Sequence, residues 1–204
     1  ATIEALRPHA QLVDLALPFT LADIVPRYVR LLLGVIGNDM PAPLKALTRV
    51  LRPHYALAEK LGIPTDLISM NASRGMHQSL AQWARATEAR AQLRWPCHEM
   101  FKDIDVLLTP VVPTTAFPHQ TGGNHLSRRI LVDGKKRPYL DHIPWASLAT
   151  TAYLPATSAP VGVTSDGLPV NIQIIGPFLG DKTTIRFAEL LAEVRGGFRP
   201  PPLP

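Results

Sequence analysis

The sequence predicts an α/β fold in which a mixed central sheet is flanked by helices. Three observations favour this class. Two apolar strand patterns near the C-terminus flank the turn pair Asp166-Gly167, a helix pattern precedes a strand pattern at the N-terminus, and helical periodicity runs from Ser73 to Phe101. Strand and helix patterns that alternate along a chain are typical of a sheet covered by helices.

The apolar hairpin is the clearest single prediction. Strands are predicted over Ala156 to Val163 and over Val170 to Ile175. In the turn between them, Gly167 accepts the positive φ that a tight hairpin requires. Within the second strand, Asn171 and Gln173 alternate with apolar residues, so one face of the strand is dry. A hairpin this apolar belongs in the middle of a larger sheet.

The first sixty residues predict a strand between helices. Thr2 to Ala10 has a helical pattern, and Gln11 to Leu17 has the alternation of a strand. Thr20 is followed three residues later by Asp23, which predicts a capped helix that ends near Leu33.

Two short helices and one long helical segment follow. A proline in the first turn predicts the short helices, over Pro43 to Leu51 and over Pro53 to Leu61, with Gly62 as the C-cap of the second. The long segment is Ser73 to Phe101. Its two tryptophans, Trp83 and Trp95, fall close to one apolar stripe and are predicted core anchors.

The second half of the chain contains a long irregular region. It runs from Val111 to Asp141, carries a hairpin turn at Asp133-Gly134, and lies between a predicted strand at Ile104 to Leu108 and a predicted helix at Ile143 to Ala149. Irregular regions of this length are usually functional or mobile. A last helix is predicted from Asp181. Its predicted apolar face consists of Ile185, Ala188, Leu191 and Ala192.

Composition and charge exclude several classes of protein. The 204 residues are 46% hydrophobic and 18% charged, which is typical of a globular chain and not of a disordered one. The net charge is +5, but the dense basic cluster from Arg128 to Arg137 lacks interleaved aromatic residues, so no nucleic-acid binding is expected. No apolar run approaches the ~20 residues of a membrane span, so no membrane association is expected.

The single cysteine, Cys97, permits no internal disulfide, which fits a cytoplasmic location. We treat residues 1–204 as a single unit, because no linker composition divides the chain. Cys97 and His98 are adjacent, and neighbours on a helix point in different directions, so Cys97 is interpreted as a small buried hydrophobe.

The sequence contains no complete catalytic constellation. It lacks the G-x-S-x-G elbow, the S-x-x-K motif, the P-loop and the G-x-G-x-x-G loop. The seven histidines have no spacing typical of zinc ligands. We therefore expect no metal site and no cofactor.

Four stretches nevertheless carry a family resemblance. They are FKDIDVLLTPVVP at Phe101 to Pro113, LPATSAPVG at Leu154 to Gly162, DGLPVNIQIIGP at Asp166 to Pro177, and DKTTIRFAELLAE at Asp181 to Glu193. In this order and spacing they resemble the C-terminal half of the amidase signature family of serine amidohydrolases. The resemblance departs at Tyr153 or Leu154, and at Asn171, where the family commonly has glycine.

The resemblance implies a partial amidase-signature fold and an amide-hydrolysing activity. The family cleaves a carboxylic amide C–N bond to a carboxylate plus ammonia or an amine. It uses a Ser nucleophile, a second Ser in a cis peptide and a Lys base, which all belong to the N-terminal half. No Gly-Ser-rich loop occurs in the present sequence. We therefore assign no catalytic residue to this chain, expect it to be inactive alone, and regard it as the C-terminal portion of an amidase domain.

The resemblance also implies one wall of a substrate pocket. Thr109, Pro110 and Val111 follow a strand end, where α/β sheets tend to place ligands. Trp145 and Tyr153 flank the next strand and are predicted to close an apolar acyl pocket. Plain core packing is the alternative for each of them.

Several partners and functions remain open at this level. The expected partners are a small-molecule amide substrate and the missing N-terminal half of the same enzyme, and a homodimer is a further arrangement. Aliphatic amides, aryl amides and transamidation on charged tRNA all occur within the resembling family. The alternative function is a non-catalytic binding or scaffolding module derived from the amidase fold. A basic protein that binds nucleic acid or a membrane surface is a third and weaker interpretation.

Overall fold

The computed structural model describes residues 2–63, 65–123 and 127–200. The helices are α1 Thr2–Leu6, α2 Leu21–Ile36, α3 Ala42–Lys60, α4 Leu67–Met76, α5 Leu80–Ala91, α6 Arg94–Met100, α7 Ile143–Ala152 and α8 Asp181–Arg195. The strands are β1 Leu107–Pro110, β2 Arg129–Val132, β3 Lys135–Pro138, β4 Ala156–Val163 and β5 Pro169–Ile175. Short 3₁₀ helices occupy Gly37–Asp39 and Tyr139–His142.

The chain divides into two compact units. One contains residues 1–18 and 96–204, and includes every strand named above; the other contains residues 19–95 and is helical. The α/β class, with helices around small sheets, is confirmed. The treatment of residues 1–204 as a single unit stays a prediction.

The capping box predicted for α2 is confirmed. The Thr20 side chain accepts a hydrogen bond from the Asp23 N–H, and the Asp23 carboxylate accepts one from the Thr20 N–H at 2.9 Å. The helix continues to Ile36, three residues beyond the predicted end. Gly34 lies inside this helix, at a position where a Cβ atom would clash with side-chain atoms of Gln78 and Trp83. The cost of a helical glycine is thus offset by close packing.

Two predictions in the helical unit are wrong about helix number. Residues 42–60 form one helix, α3, with Pro53 inside it, where two helices were expected. Helix-favouring residues on both sides of Pro53 continue the helix despite the lost N–H. Gly62 does mark the end, with φ +67 directly after the C-cap Leu61.

The long helical segment predicted from Ser73 to Phe101 is three helices, α4, α5 and α6. Ser79 and Gln82 form a capping box that starts α5 anew, so the apolar periodicity continues across a break in the backbone. Trp95 is 70% exposed, so its prediction as a core anchor is wrong. Trp83 is half-buried.

A close crossing of α2 and α4 organises the helical unit. Asn71 on α4 is fully buried, accepts a hydrogen bond from Arg30 Nε at 2.7 Å, and donates one to the Leu67 carbonyl at 2.8 Å. One turn later, a Cβ atom on Gly75 would lie 2.8 Å from the Arg30 carbonyl oxygen and 3.0 Å from the Leu33 Cβ. The absence of a side chain at Gly75 therefore lets the two helices approach.

The apolar hairpin lies in a three-stranded sheet of order β1-β5-β4, and both strand pairs are antiparallel. The predicted strands of the hairpin are confirmed, with β5 in the middle as its pattern required. Helices α1 and α8 cover one face. The core between them and the sheet consists of Leu6, Ala159, Val161, Ile174 and Leu191.

The edge strand β4 contains a bulge, and a side chain of α8 donates hydrogen bonds to it. The register with β5 shifts between Pro160 and Gly162, and Gly162 has φ +150. The Val161 carbonyl at this point accepts two hydrogen bonds from the Arg195 guanidinium, at 3.1 and 2.6 Å. The last residue of α8 thus donates hydrogen bonds to a carbonyl at the bulge, where the regular pairing of β4 with β5 is interrupted.

Three sequence predictions in this unit need correction. Residues 11–17 form no strand, because their apolar residue Leu12 packs against the core in an irregular segment without pairing. The strand expected over residues 104–108 is displaced to β1, Leu107–Pro110, where β5 offers a partner. On α8, Ile185 is 53% exposed, and the buried face centres on Thr184 and Leu191.

The hairpin predicted at Asp133-Gly134 is confirmed as β2 and β3. The predicted helix after it is confirmed as α7, which runs three residues further, to Ala152.

Replacement of Gly75 by Ala should destabilise the protein by roughly 1–3 kcal/mol, as overpacked sites typically do. Helix propensity alone would make the same change stabilising by about 1 kcal/mol, so the sign of the effect reports the clash. Urea denaturation measures it. Gly122→Ala is the control, since nothing lies within 4 Å of a Cβ there. A Gly75→Ala protein as stable as the parent would contradict the close crossing.

Candidate functional site

A buried glutamine joins three elements of the sheet unit. Gln173, in the middle of β5, is 7% exposed. Its Nε2 donates to the Thr109 hydroxyl on β1 at 3.0 Å and to the Trp145 carbonyl on α7 at 3.3 Å. Thr109 and Trp145, two of the five predicted pocket residues, therefore share one hydrogen-bond partner.

The chain leaves the sheet one residue after this glutamine contact, since Pro110 is the last residue of β1. Thr109 is buried at 6% exposure, the next residue, Pro110, is exposed, and Val111 is half-buried. Thr109 consequently anchors the strand end, and Pro110 and Val111 carry the chain to the surface. All three were expected to follow the strand end, but Thr109 and Pro110 are the last two residues of β1 and only Val111 follows it. Their place in a substrate wall stays a prediction.

Tyr153 ends α7 in a strained conformation. It is the C-cap, with φ +59 and ψ +33, and its N–H donates to the Ala149 carbonyl. The Leu154 N–H donates to the same carbonyl at 3.0 Å. A left-handed backbone costs a residue with a Cβ about 1–2 kcal/mol, and glycine avoids that cost. Tyr153 is 42% exposed, so this strained residue is an aromatic residue at the surface.

An open pocket of about 170 Å³ lies beside the strand end. It is lined by Val112, Thr114, Thr115, Ala116, Phe117, Tyr139 and His142. The first five follow β1 in the chain, and the last two belong to the 3₁₀ helix Tyr139–His142. None of the five predicted residues lines this pocket, although Val112 is the neighbour of Val111.

Aromatic rings form one side of the pocket. Phe117 and Tyr139 pack edge to face with ring centroids 5.9 Å apart, and Tyr139 and His142 do so at 4.9 Å. Arg128 lies over the Tyr139 ring at 5.9 Å. Sequence reasoning missed this cluster. The available signal was that Phe117 and Tyr139 lie within the long irregular region from Val111 to Asp141, and that His142 directly follows it.

The single cysteine is not an activated nucleophile. Cys97 is fully buried, and burial raises the pKa of its thiol to about 11, so the reactive thiolate is scarce near neutral pH. Within residues 2–63, 65–123 and 127–200, no three His, Cys, Asp or Glu side chains converge as a metal site would require. No helix in those ranges has the length and apolarity to cross a membrane.

Replacement of Gln173 by Glu should lower the free energy of unfolding by roughly 2 kcal/mol or more. The new carboxylate is desolvated, and the Trp145 carbonyl loses its donor. Urea denaturation measures the loss. Asn171→Asp is the matched control, because it makes the same chemical change on the same strand at an exposed position. Equal stability of the two variants would show that Gln173 does not join the three elements.

The chain is similar in sequence to proteins of one known family. The family model named Amidase matches residues 45–185, which is more than half of the chain. A glutamyl-tRNA(Gln) amidotransferase subunit from Haloarcula marismortui is 32% identical over 120 residues, covering 59% of this chain and 25% of that protein. The protein of the same name from Brucella canis is 26% identical over 208 residues, covering 94% and 39%.

A solved amidase structure has the same fold over most of the chain. It superposes with a TM-score of 0.62 at 20% identity, and the match covers 94% of this chain and 39% of the amidase. The chain thus spans a quarter to two fifths of the length of these relatives. The resemblance carried by the four sequence stretches is confirmed, and the chain belongs to the amidase family.

Proposed function

We propose that the whole protein hydrolyses a carboxylic amide to a carboxylate and ammonia or an amine, and that this chain is its C-terminal part. The match of residues 45–185 to the amidase family carries the proposal. The chain spans only 25% to 39% of the length of the relatives named above, which supports the proposal that it is part of a longer protein.

The catalytic groups of the proposed reaction lie outside this chain. In the family mechanism a desolvated, neutral Lys accepts a proton through the cis-peptide Ser from the nucleophilic Ser. The Ser oxygen attacks the amide carbon, and backbone N–H groups hold the oxyanion. The C–N bond then breaks, the amine leaves with a proton, and water releases the carboxylate from the acyl-enzyme.

The contribution of this chain to that reaction is one wall of the substrate pocket. We assign Thr109, Pro110, Val111, Trp145 and Tyr153 to this wall. Two observations support the assignment. The side-chain amide of Gln173 donates a hydrogen bond to Thr109 and another to the Trp145 carbonyl. The strained backbone of Tyr153 is typical of residues retained for function.

The remainder of the whole protein is the proposed partner of an apolar stripe on α3. That helix buries none of its residues fully. Leu47, Val50 and Leu57 on the helix and the adjoining Leu61 are 48%, 64%, 56% and 62% exposed, and their spacing places them on one side. Large apolar residues exposed along one side of a helix are typical of a contact surface. A homodimer through the same stripe is the other arrangement that would cover it.

The named relatives favour a second candidate function. They are subunits of a glutamyl-tRNA(Gln) amidotransferase, so the whole protein could instead be a subunit of such an enzyme. The two candidates differ in their need for other proteins. A self-sufficient amidase turns over free amides alone, whereas the subunit works fully only within its assembly.

The whole protein should release ammonia or amine from simple amides, and residues 1–204 alone should release none, because they lack the nucleophile and its base. A coupled ammonia assay and an amine assay measure both. The chain must be free of longer species. Turnover by residues 1–204 alone would overturn the assignment of the catalytic groups, and inactivity of the purified whole protein would favour the subunit or a non-catalytic module.

Replacement of Tyr153 by Gly or by Ala separates a binding role from a structural one. Both variants lose the ring, but only Gly relieves the φ of +59. The Gly variant should therefore be more stable than the Ala variant by about 1 kcal/mol. Both should raise the KM of the whole enzyme by a similar factor, roughly threefold to tenfold for a lost aromatic contact.

Thermal denaturation and steady-state kinetics of the two Tyr153 variants give these quantities. A KM that rises only in the less stable Ala variant would remove Tyr153 from the substrate wall.

A further inference from the structure

We propose that the pocket lined by Phe117, Tyr139 and His142 binds a single aromatic ring that carries an N–H or O–H donor. The ring would be part of the amide substrate, so this inference rests on the proposed function. It names a substrate class, amides with an aryl group, for which the chain itself supplies the recognition site.

The size of the pocket suits one ring. Its volume is about 170 Å³. An apolar cavity of about 150 Å³ in another protein binds benzene. A methyl or ethyl group would leave much of this space unfilled.

The shape of the pocket suits a flat group. The Phe117 and Tyr139 rings meet at an interplanar angle of 88°. Both residues line the pocket, so a bound ring can pack on either of them face to face or edge to face, the arrangements that aromatic pairs prefer. Val112 and Ala116 add aliphatic surface.

The polar groups of the pocket define the substituent on the ring. His142 Nδ1 lies 2.5 Å from the Tyr139 carbonyl oxygen. A carbonyl only accepts, so Nδ1 carries the hydrogen and Nε2 of the neutral ring is an acceptor. A ligand donor therefore matches His142. No carboxylate or ammonium group belongs to the lining formed by the described residues, so a neutral ligand fits better than an ion.

The pocket is held in shape before any ligand arrives. Gln120 Nε2 donates to the Arg129 carbonyl at 2.6 Å, and the Tyr139 N–H donates to the Arg128 carbonyl at 3.2 Å. Arg137 Nε donates to the Asp141 carboxylate at 2.7 Å. These bonds tie the loop after β1 and the 3₁₀ helix to the β2–β3 hairpin. A preorganised site loses less entropy on binding.

The position of the pocket links it to the proposed substrate wall. Val112 directly follows Pro110 and Val111, and Thr109 before them is fixed by Gln173. A substrate whose amide lies against the wall can thus place an attached ring in the pocket. The long irregular region, whose role the sequence left undefined, would then determine specificity.

Binding of ring probes to the whole protein tests the pocket without any need for catalysis. The probes are 4-fluorophenol and fluorobenzene, observed by ¹⁹F NMR titration. Phe117→Leu should weaken both probes, since it removes one aromatic wall. His142→Asn should weaken 4-fluorophenol roughly threefold to tenfold, the range of one hydrogen bond, and leave fluorobenzene unchanged. The Asn amide N–H can still donate to the Tyr139 carbonyl, so the fold is kept.

The control variant is His119→Asn, which makes the same change at an exposed histidine close in sequence. It should leave both probes unaffected. Equal binding of 4-fluorophenol to the parent and to both pocket variants would overturn the proposal, as would an equal effect of the two histidine variants.

Hydrolysis of 4-hydroxyacetanilide and of acetamide provides a separate readout. The ratio of their kcat/KM values should fall in Phe117→Leu and stay constant in His119→Asn. Amide turnover with an unchanged ratio and no ring binding would reject the pocket and leave the proposed function intact. Ring binding without turnover of any amide would support the ligand class of the pocket and reject the proposed function.

Discussion

The side-chain amide of Gln173 is the interaction on which the sheet unit depends. A three-stranded sheet is small, and the ladder alone aligns β1 with β5 without fixing α7. The two bonds from one buried nitrogen, to Thr109 and to the Trp145 carbonyl, set all three elements relative to one another. The low dielectric of the interior strengthens such bonds and raises the cost of breaking them. The proposed substrate wall is therefore only as well defined as this one amide.

The two surfaces proposed for function differ in physical character. The ring pocket is small, concave and braced by hydrogen bonds, which suits a ligand of fixed shape. The stripe on α3 is a row of exposed apolar side chains along one side of the helix, with Val50 its most exposed member at 64%. Such a surface suits another protein segment, since only a large partner covers it. One short chain thus combines a recognition site with a contact surface, and neither requires a catalytic residue of its own.

Local signals explain what the sequence could predict. The hairpin at Asp166-Gly167, the capping box at Thr20 and the turn at Asp133-Gly134 each depend on residues within a few positions. Two predictions of helix boundaries were wrong. Pro53 was taken to end a helix although helix-favouring residues flank it on both sides. The capping box at Ser79 was missed because the apolar periodicity continues through it. Family resemblance supplied the rest of the fold.

The site was harder to predict because its contacts are distant in the chain. Gln173 was identified only as a polar residue in an apolar strand, yet its partner Thr109 lies 64 positions away. The pocket brings Phe117 to Tyr139 across a hairpin whose position no local pattern reveals. Of the five predicted wall residues, the structure connects two through one amide, and the wall itself stays a prediction.

The clasp of Arg195 on the Val161 carbonyl has a consequence for the order of synthesis. Arg195 leaves the ribosome after both strands of the apolar hairpin. Until α8 is complete, the Val161 carbonyl at the bulged edge of β4 therefore lacks its hydrogen bonds from the Arg195 guanidinium. An unprotected strand edge pairs readily with other chains. The nascent protein is thus most prone to association during the interval in which the last helix is made.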